Sequence, residues 1–179
     1  MISLGVLFWI FIILFGLIGA IRGWTKEILV TFSAVMGIFA ITILEAYVPF
    51  VQTYLASNPV TSKVWLRIII FTVLVFFGYQ TPNIPRFAGD ERLARGRLQD
   101  ILLGLIIGGV NGYLIYGSLW FFLADANYPF AILIPPIAGT PAGESALSLI
   151  PYLPPVWLTA PTIYYAVAIS FILVLVMFI

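Results

Sequence analysis

Histidine and cysteine are both absent from the 179 residues. Without cysteine there is no disulfide, no thiolate metal site, no iron–sulfur cluster and no cysteine nucleophile. Without histidine the usual ligand of haem and zinc is missing too, so no metal or cofactor is expected. Charge is also scarce. Only 8% of residues are charged, against about 25% in an average soluble domain. The formal net charge of +1 points to no nucleic acid partner. What fills the space is apolar. Hydrophobic residues make up 63% of the chain, and mean hydropathy is +1.14. A soluble fold of this size has too little interior to hide that surface, so the bilayer is the expected solvent.

A bilayer-crossing helix needs about 20 mostly apolar residues. The runs at 3–21, 27–47, 64–79, 98–124 and 162–179 meet or approach that length. They predict an all-α, polytopic membrane protein of about five spans. The start of the chain lacks the basic flank and cleavage motif of a signal peptide, so the first run reads as a retained span. Pro49 stops the second span, and 48–63 reads as a short loop. Residues 1–125 form a four-span core. The prolines between Pro129 and Pro161 make 126–161 too broken to span and too apolar for free solution. It reads as an interfacial segment with a short helix near 143–150, and 162–179 as an additional helix. Segments 22–27 and 80–97 share one side and hold Arg22, Lys26, Arg86, Arg92, Arg95 and Arg97. The positive-inside rule puts them in the cytoplasm, the N-terminus outside and the C-terminus inside. The five tryptophans, Trp9, Trp24, Trp65, Trp120 and Trp157, fall mostly near span ends, as headgroup anchors do.

Small residues recur at helical spacing. Span four carries Gly104, Gly108 and Gly112; span one carries Gly16, Gly19 and Gly23; span two carries Ser33, Gly37 and Ala40. Residues four apart lie on one helix face, and bare faces let backbones approach closely. These faces are expected to pack against each other, within one chain or against another subunit. Among polar residues, Arg22 and Glu27 are placed to pair across their tight turn or with 86–97. Glu45 and Arg67 lie at similar depth and read as a structural pair, while Asp125 caps the end of span four in water. Asn111 is the one strongly polar residue deep in a span, placed to bond another helix. Arg92, Arg95 and Arg97, with Asp90, Glu91 and Asp100, form a charged plate for anionic lipid or a cytoplasmic partner, or simply a solvated loop. Ser118 and Ser148 have no histidine and no nearby lysine to activate them, and no aspartate lies mid-span, so the chain is not expected to be an enzyme.

The stretch Gly19-Ala20-Ile21-Arg22-Gly23-Trp24-Thr25-Lys26-Glu27-Ile28-Leu29 resembles the G-x-x-R-G-x-x-x-E-x-L turn of the CvpA family, the colicin V production proteins. Asp100 to Gly112 is similar to that family's D-R-x-L-G-x-x-x-G-x-x-R-G stretch. A weaker echo, Glu144 to Pro151, is like its Ser-x-Leu-x-Pro segment. The likeness covers roughly residues 3–155. Two positions depart from the pattern: Ile101 stands where the family has arginine, and Asn111-Gly112 where it has Arg-Gly. The fifth span extends beyond the family's usual four. The resemblance implies a small bacterial inner-membrane protein linked to toxin export and envelope integrity.

The sequence thus predicts a non-enzymatic protein that works by helix packing. Its partners are membrane lipids and other membrane subunits or itself. The first reading is an accessory subunit of a larger membrane assembly of respiratory or photosynthetic type. The second is a stand-alone CvpA-like protein for toxin export or envelope maintenance. The third is a small transporter or channel, which a polar line through span four around Asn111 would support.

Overall fold

The computed structural model describes residues 3–80, 93–131 and 135–178, with backbone alone at 93–95 and 177–178. All regular elements among them are helices: α1 (Leu4–Arg22), α2 (Trp24–Tyr47), α3 (Pro49–Ser57), α4 (Val60–Tyr79), α5 (Leu93–Asp125), α6 (Pro141–Leu149), α7 (Pro154–Trp157) and α8 (Thr162–Phe178). A 3₁₀ turn, Ile150–Tyr152, joins α6 to α7. Four helices are long and apolar enough to cross a membrane: α1, α2, α4 and the Gly96–Asp125 part of α5. A fifth crossing exists if α6–α7 and α8, bent by 69°, count as one span.

The boundaries follow local chemistry. Ser3 caps α1 by accepting from the Gly5 amide. Gly23 alone separates α1 from α2, at φ 87° and ψ 153°. That region belongs almost entirely to glycine, so the sharp elbow depends on it. The segment 48–63, expected as a loop, contains α3 instead, because Pro49 stands at its first turn. A proline that ends one helix also starts the next, since its missing N–H is not needed there. Helix α5 begins at Leu93, five residues earlier than the expected 98, and so extends into the arginine-rich segment.

Helix α5 is the central post. α1 and α2 both pack along it, α4 packs mainly on α2, and α8 packs on α2. α8 runs antiparallel to α2, with Phe39 against Tyr164 and Phe32 against Phe171. The main core gathers Val30, Ile38, Phe71, Leu114, Leu158 and Ile163. A second core joins Phe8, Trp120, Ala146 and Leu153. Trp120 is therefore no headgroup anchor. It is 1% exposed, and its indole N–H donates to the Tyr128 hydroxyl at 3.0 Å.

The proline-rich segment does more than lie along an outer surface. Leu153, Pro154 and Leu158 are fully buried, as is Ile163 just beyond the segment in α8. Pro154 sits on Gly117, where a Cβ would come within 2.6 Å of its ring. Gly117 is eight residues before Asp125, so the segment dips about 12 Å along α5 at 1.5 Å per residue. Non-helical backbone at such depth must find its hydrogen bonds inside the protein. Four prolines, at 151, 154, 155 and 161, remove N–H donors from the problem. The Leu153, Val156 and Leu158 amides bond locally, to Ile150, Leu153 and Pro154. The Tyr152 carbonyl accepts from the Tyr113 hydroxyl, which in turn accepts from the Trp157 indole at 2.8 Å.

Candidate functional site

The charged elbow between α1 and α2 folds inward. Glu27, in the first turn of α2, is 0% exposed, as is Asn111 of α5. A buried carboxylate must be paired and hydrogen-bonded, and this one is. Its Oε1 accepts from Arg22 Nη1 at 2.6 Å, and its Oε2 accepts from Asn111 Nδ2 at 2.8 Å. The same Asn111 nitrogen reaches the Glu27 carbonyl at 2.9 Å. Thr31, one turn on, lies with its hydroxyl 2.7 Å from Asn111 Oδ1 and 3.0 Å from the Glu27 carbonyl. The amide orientation is fixed by this arrangement: acceptors of Glu27 face the NH₂, and the hydroxyl donor faces the oxygen.

Arg22 has two further partners at the end of α4. Nη2 donates to the Tyr79 carbonyl at 3.4 Å, and the guanidinium lies 4.4 Å from the centre of the Tyr79 ring. The Tyr79 hydroxyl is buried and has no hydrogen-bond partner among the described residues. Asp100 of α5 closes the elbow from the other side. Its Oδ1 accepts the Trp24 amide at 3.2 Å and so caps α2, whose own cap residue has no side chain. One latch thus joins α1, α2, α4 and α5.

The glycines lie beside the latch and divide by partner. Gly19 meets Gly104 and Gly108: a Cβ on it would strike the Gly104 carbonyl and come within 2.8 Å of the Gly108 Cα. A Cβ on Gly104 would strike the Gly19 carbonyl, and one on Gly108 the Phe15 carbonyl. A Cβ on Gly112 would stand 2.8 Å from the Phe11 carbonyl, and one on Gly16 3.2 Å from that of Leu105. Here backbone meets backbone within one chain. Ser33 and Gly37 do not join this seam. They face α4, with Gly78 against Ser33 and the Phe71 ring against Gly37. Small residues reveal a close approach but not its partner. Gly23 faces the Asp100 carboxylate.

Arg92 lies outside the described residues, as do Asp90, Glu91 and the side chain of Arg95. Arg97 is exposed, and Asp100 turns to the elbow. Position 111, where the CvpA pattern carries arginine, faces Glu27.

A second charged group ties the opposite end. Arg67 forks onto Glu45 through Nε at 2.6 Å and Nη2 at 2.7 Å, and its Nη1 reaches Asp125 at 2.7 Å. Lys63 adds a 3.4 Å contact to Asp125. The expected Glu45–Arg67 pair is there. Asp125 is not merely a cap in water but the third member, linking α5 to α2 and α4. Spacing along one chain gives no sign of this, since Arg67 and Asp125 are 58 residues apart.

Among the described residues, no group of three or more acidic side chains is placed to hold a metal ion. Comparison with protein-family models, with curated proteins and with solved structures found no match.

Proposed function

We propose that this chain is a non-enzymatic, multi-pass protein of a bacterial inner membrane, working by helix packing as a structural or accessory subunit of a larger membrane assembly of respiratory or photosynthetic type. The observation that carries this reading is the closed latch. Both carboxylate oxygens of Glu27 are occupied, by Arg22 and Asn111. Ionisable residues inside membrane proteins mark conduits by default, but this one is spent on holding four helices together. The orientation with the Arg22 and Lys26 elbow in the cytoplasm and the N-terminus outside follows from the basic residues.

The partner side of the reading rests on α8. Only one face of it meets α2, and Tyr165, Ile169, Ile172 and Val176 form an outward stripe at helical spacing. Such a stripe suits a neighbouring span. A conduit would draw on the inserted segment, because irregular backbone at depth lines cavities in channels and transporters. Its inward residues are Leu153, Pro154 and Leu158, which serve packing and offer no polar lining.

The test is purification in mild detergent or nanodiscs through a tag, with native mass measurement and identification of co-purifying proteins. Stoichiometric recovery with a large redox or light-harvesting complex supports the subunit reading. Recovery alone or as a small homo-oligomer refutes it and leaves the stand-alone, CvpA-like role in envelope maintenance or export.

A further inference from the structure

Between α1 and α5, on the outward side of the glycine seam, lies a groove of about 650 Å³. Its floor is Gly16 and Gly109, and its walls include Ile13, Leu17 and Ile106. Leu149 and Tyr152 line the end nearest Phe8 and Tyr113. We infer that this groove holds one acyl chain of a glycerolipid, with the Trp9 indole N–H as its polar contact. The inference rests on the membrane placement proposed above, but not on the identity of any partner protein.

Four observations choose the occupant. The lining carries no charged side chain, so nothing in it selects an ionic or strongly polar ligand. From Trp9 to Leu17 the groove runs about 12 Å at 1.5 Å per residue, within the ~30 Å hydrocarbon core that acyl chains fill. Trp9 is 56% exposed and donates no hydrogen bond among the described residues. Trp9 lines the end of the groove nearer Ser3, the side on which the chain's ester group would lie. Finally, a straight partner helix laid along the seam meets Tyr152, which is 71% exposed and held over Tyr113 by its carbonyl. A flexible chain bends past it.

Gly109 makes the test clean. A Cβ there meets only Ile12, at 3.8 Å, an ordinary contact. Gly109→Phe therefore fills the groove without parting α1 from α5, unlike a change at Gly108. The protein is reconstituted with phosphatidylethanolamine and phosphatidylglycerol, extracted into mild detergent, and examined by native mass spectrometry as detergent stripping is increased. Wild type should keep a bound phospholipid, Gly109→Phe should lose it, and Leu173→Phe on the exposed face of α8 should keep it. Ile13→Trp, which fills the groove from the other wall, should repeat the loss if Gly109→Phe folds poorly. Trp9→Phe should release the lipid at milder stripping. Wild type without retained lipid, or equal retention in both groove variants, overturns the inference. So does a wild-type dimer, or a second polypeptide, that the groove variants lose: the occupant is then protein, and the subunit reading stands apart. A chain released from membranes by alkaline carbonate overturns the groove inference and the membrane reading together.

Discussion

Removing the charge of Arg22 while leaving Glu27 in place strands a carboxylate in the middle of the bundle. Glu27 is 0% exposed, and after Arg22→Gln only Asn111 still donates to its side chain. Breaking a buried pair from one side costs about 3–5 kcal/mol. Glu27→Gln is milder. The neutral amide it introduces keeps an oxygen for Asn111, and Arg22, 20% exposed, keeps the Tyr79 carbonyl and ring, so the loss is about 1–2 kcal/mol. The double variant Arg22→Gln/Glu27→Gln leaves no stranded charge and rebuilds neutral hydrogen bonds. It should lie within about 2 kcal/mol of wild type, giving a coupling energy of at least about 2 kcal/mol. The assay is reversible unfolding in mixed micelles followed by tryptophan fluorescence. Additive losses, with the double variant worse than either single one, would refute the latch as the determinant of elbow stability.

Four further outcomes follow from the same geometry. Gly108→Ala pushes a Cβ into the Phe15 carbonyl and should cost about 1–3 kcal/mol, whereas Gly109→Ala should change unfolding by less than about 0.5 kcal/mol; equal effects would sink the seam. Gly23→Ala meets both a positive φ of 87° and the Asp100 carboxylate at 2.8 Å, so the same unfolding assay should show a loss of about 1–3 kcal/mol. Arg67→Lys keeps the charge but loses the fork onto Glu45, and a fall of about 1–2 kcal/mol is expected, with no loss counting against the clamp. Tyr79→Phe removes a buried hydroxyl that has no partner among the described residues and keeps the ring under Arg22. It should be neutral or raise Tm, and a clear fall in Tm would show that the hydroxyl is satisfied after all.

Much of the fold is legible because membrane spans advertise themselves: five apolar runs are enough to expect the long helices. The glycine seam of α5 is also visible in the four-residue spacing of Gly104, Gly108 and Gly112. Its partner is not, since Ser33 and Gly37 show the same spacing yet face α4. Arg22 and Glu27 stand out as charges between apolar runs, and their pairing across the turn is legible, but their burial is not. The burial of Glu27 depends on Asn111, 84 residues away, and on one glycine that folds the elbow back. Pro49 is legible as a stop and misleading as a loop, because proline at a first turn favours a new helix. The insertion of Leu153 and Pro154 over Gly117 has no periodic signal; only the combination of apolar residues with missing amide donors hints at a segment meant for the interior.

The elbow also bears on the order in which the molecule is made. α1 and α2 are joined by one residue and leave the ribosome before α4 and α5, yet each finds its main support in α5 or α4. Arg22 can meet Glu27 early, but Asn111 and Asp100 arrive about 80 residues later, at 5–20 residues per second of synthesis. Until then the carboxylate lacks its second donor and the glycine face of α1 lacks its mate. The nascent chain therefore passes through a stage in which α1 and α2 are unsettled, and a chain truncated before Gly104 would stay there, a substrate for proteolysis and not a smaller version of the same fold.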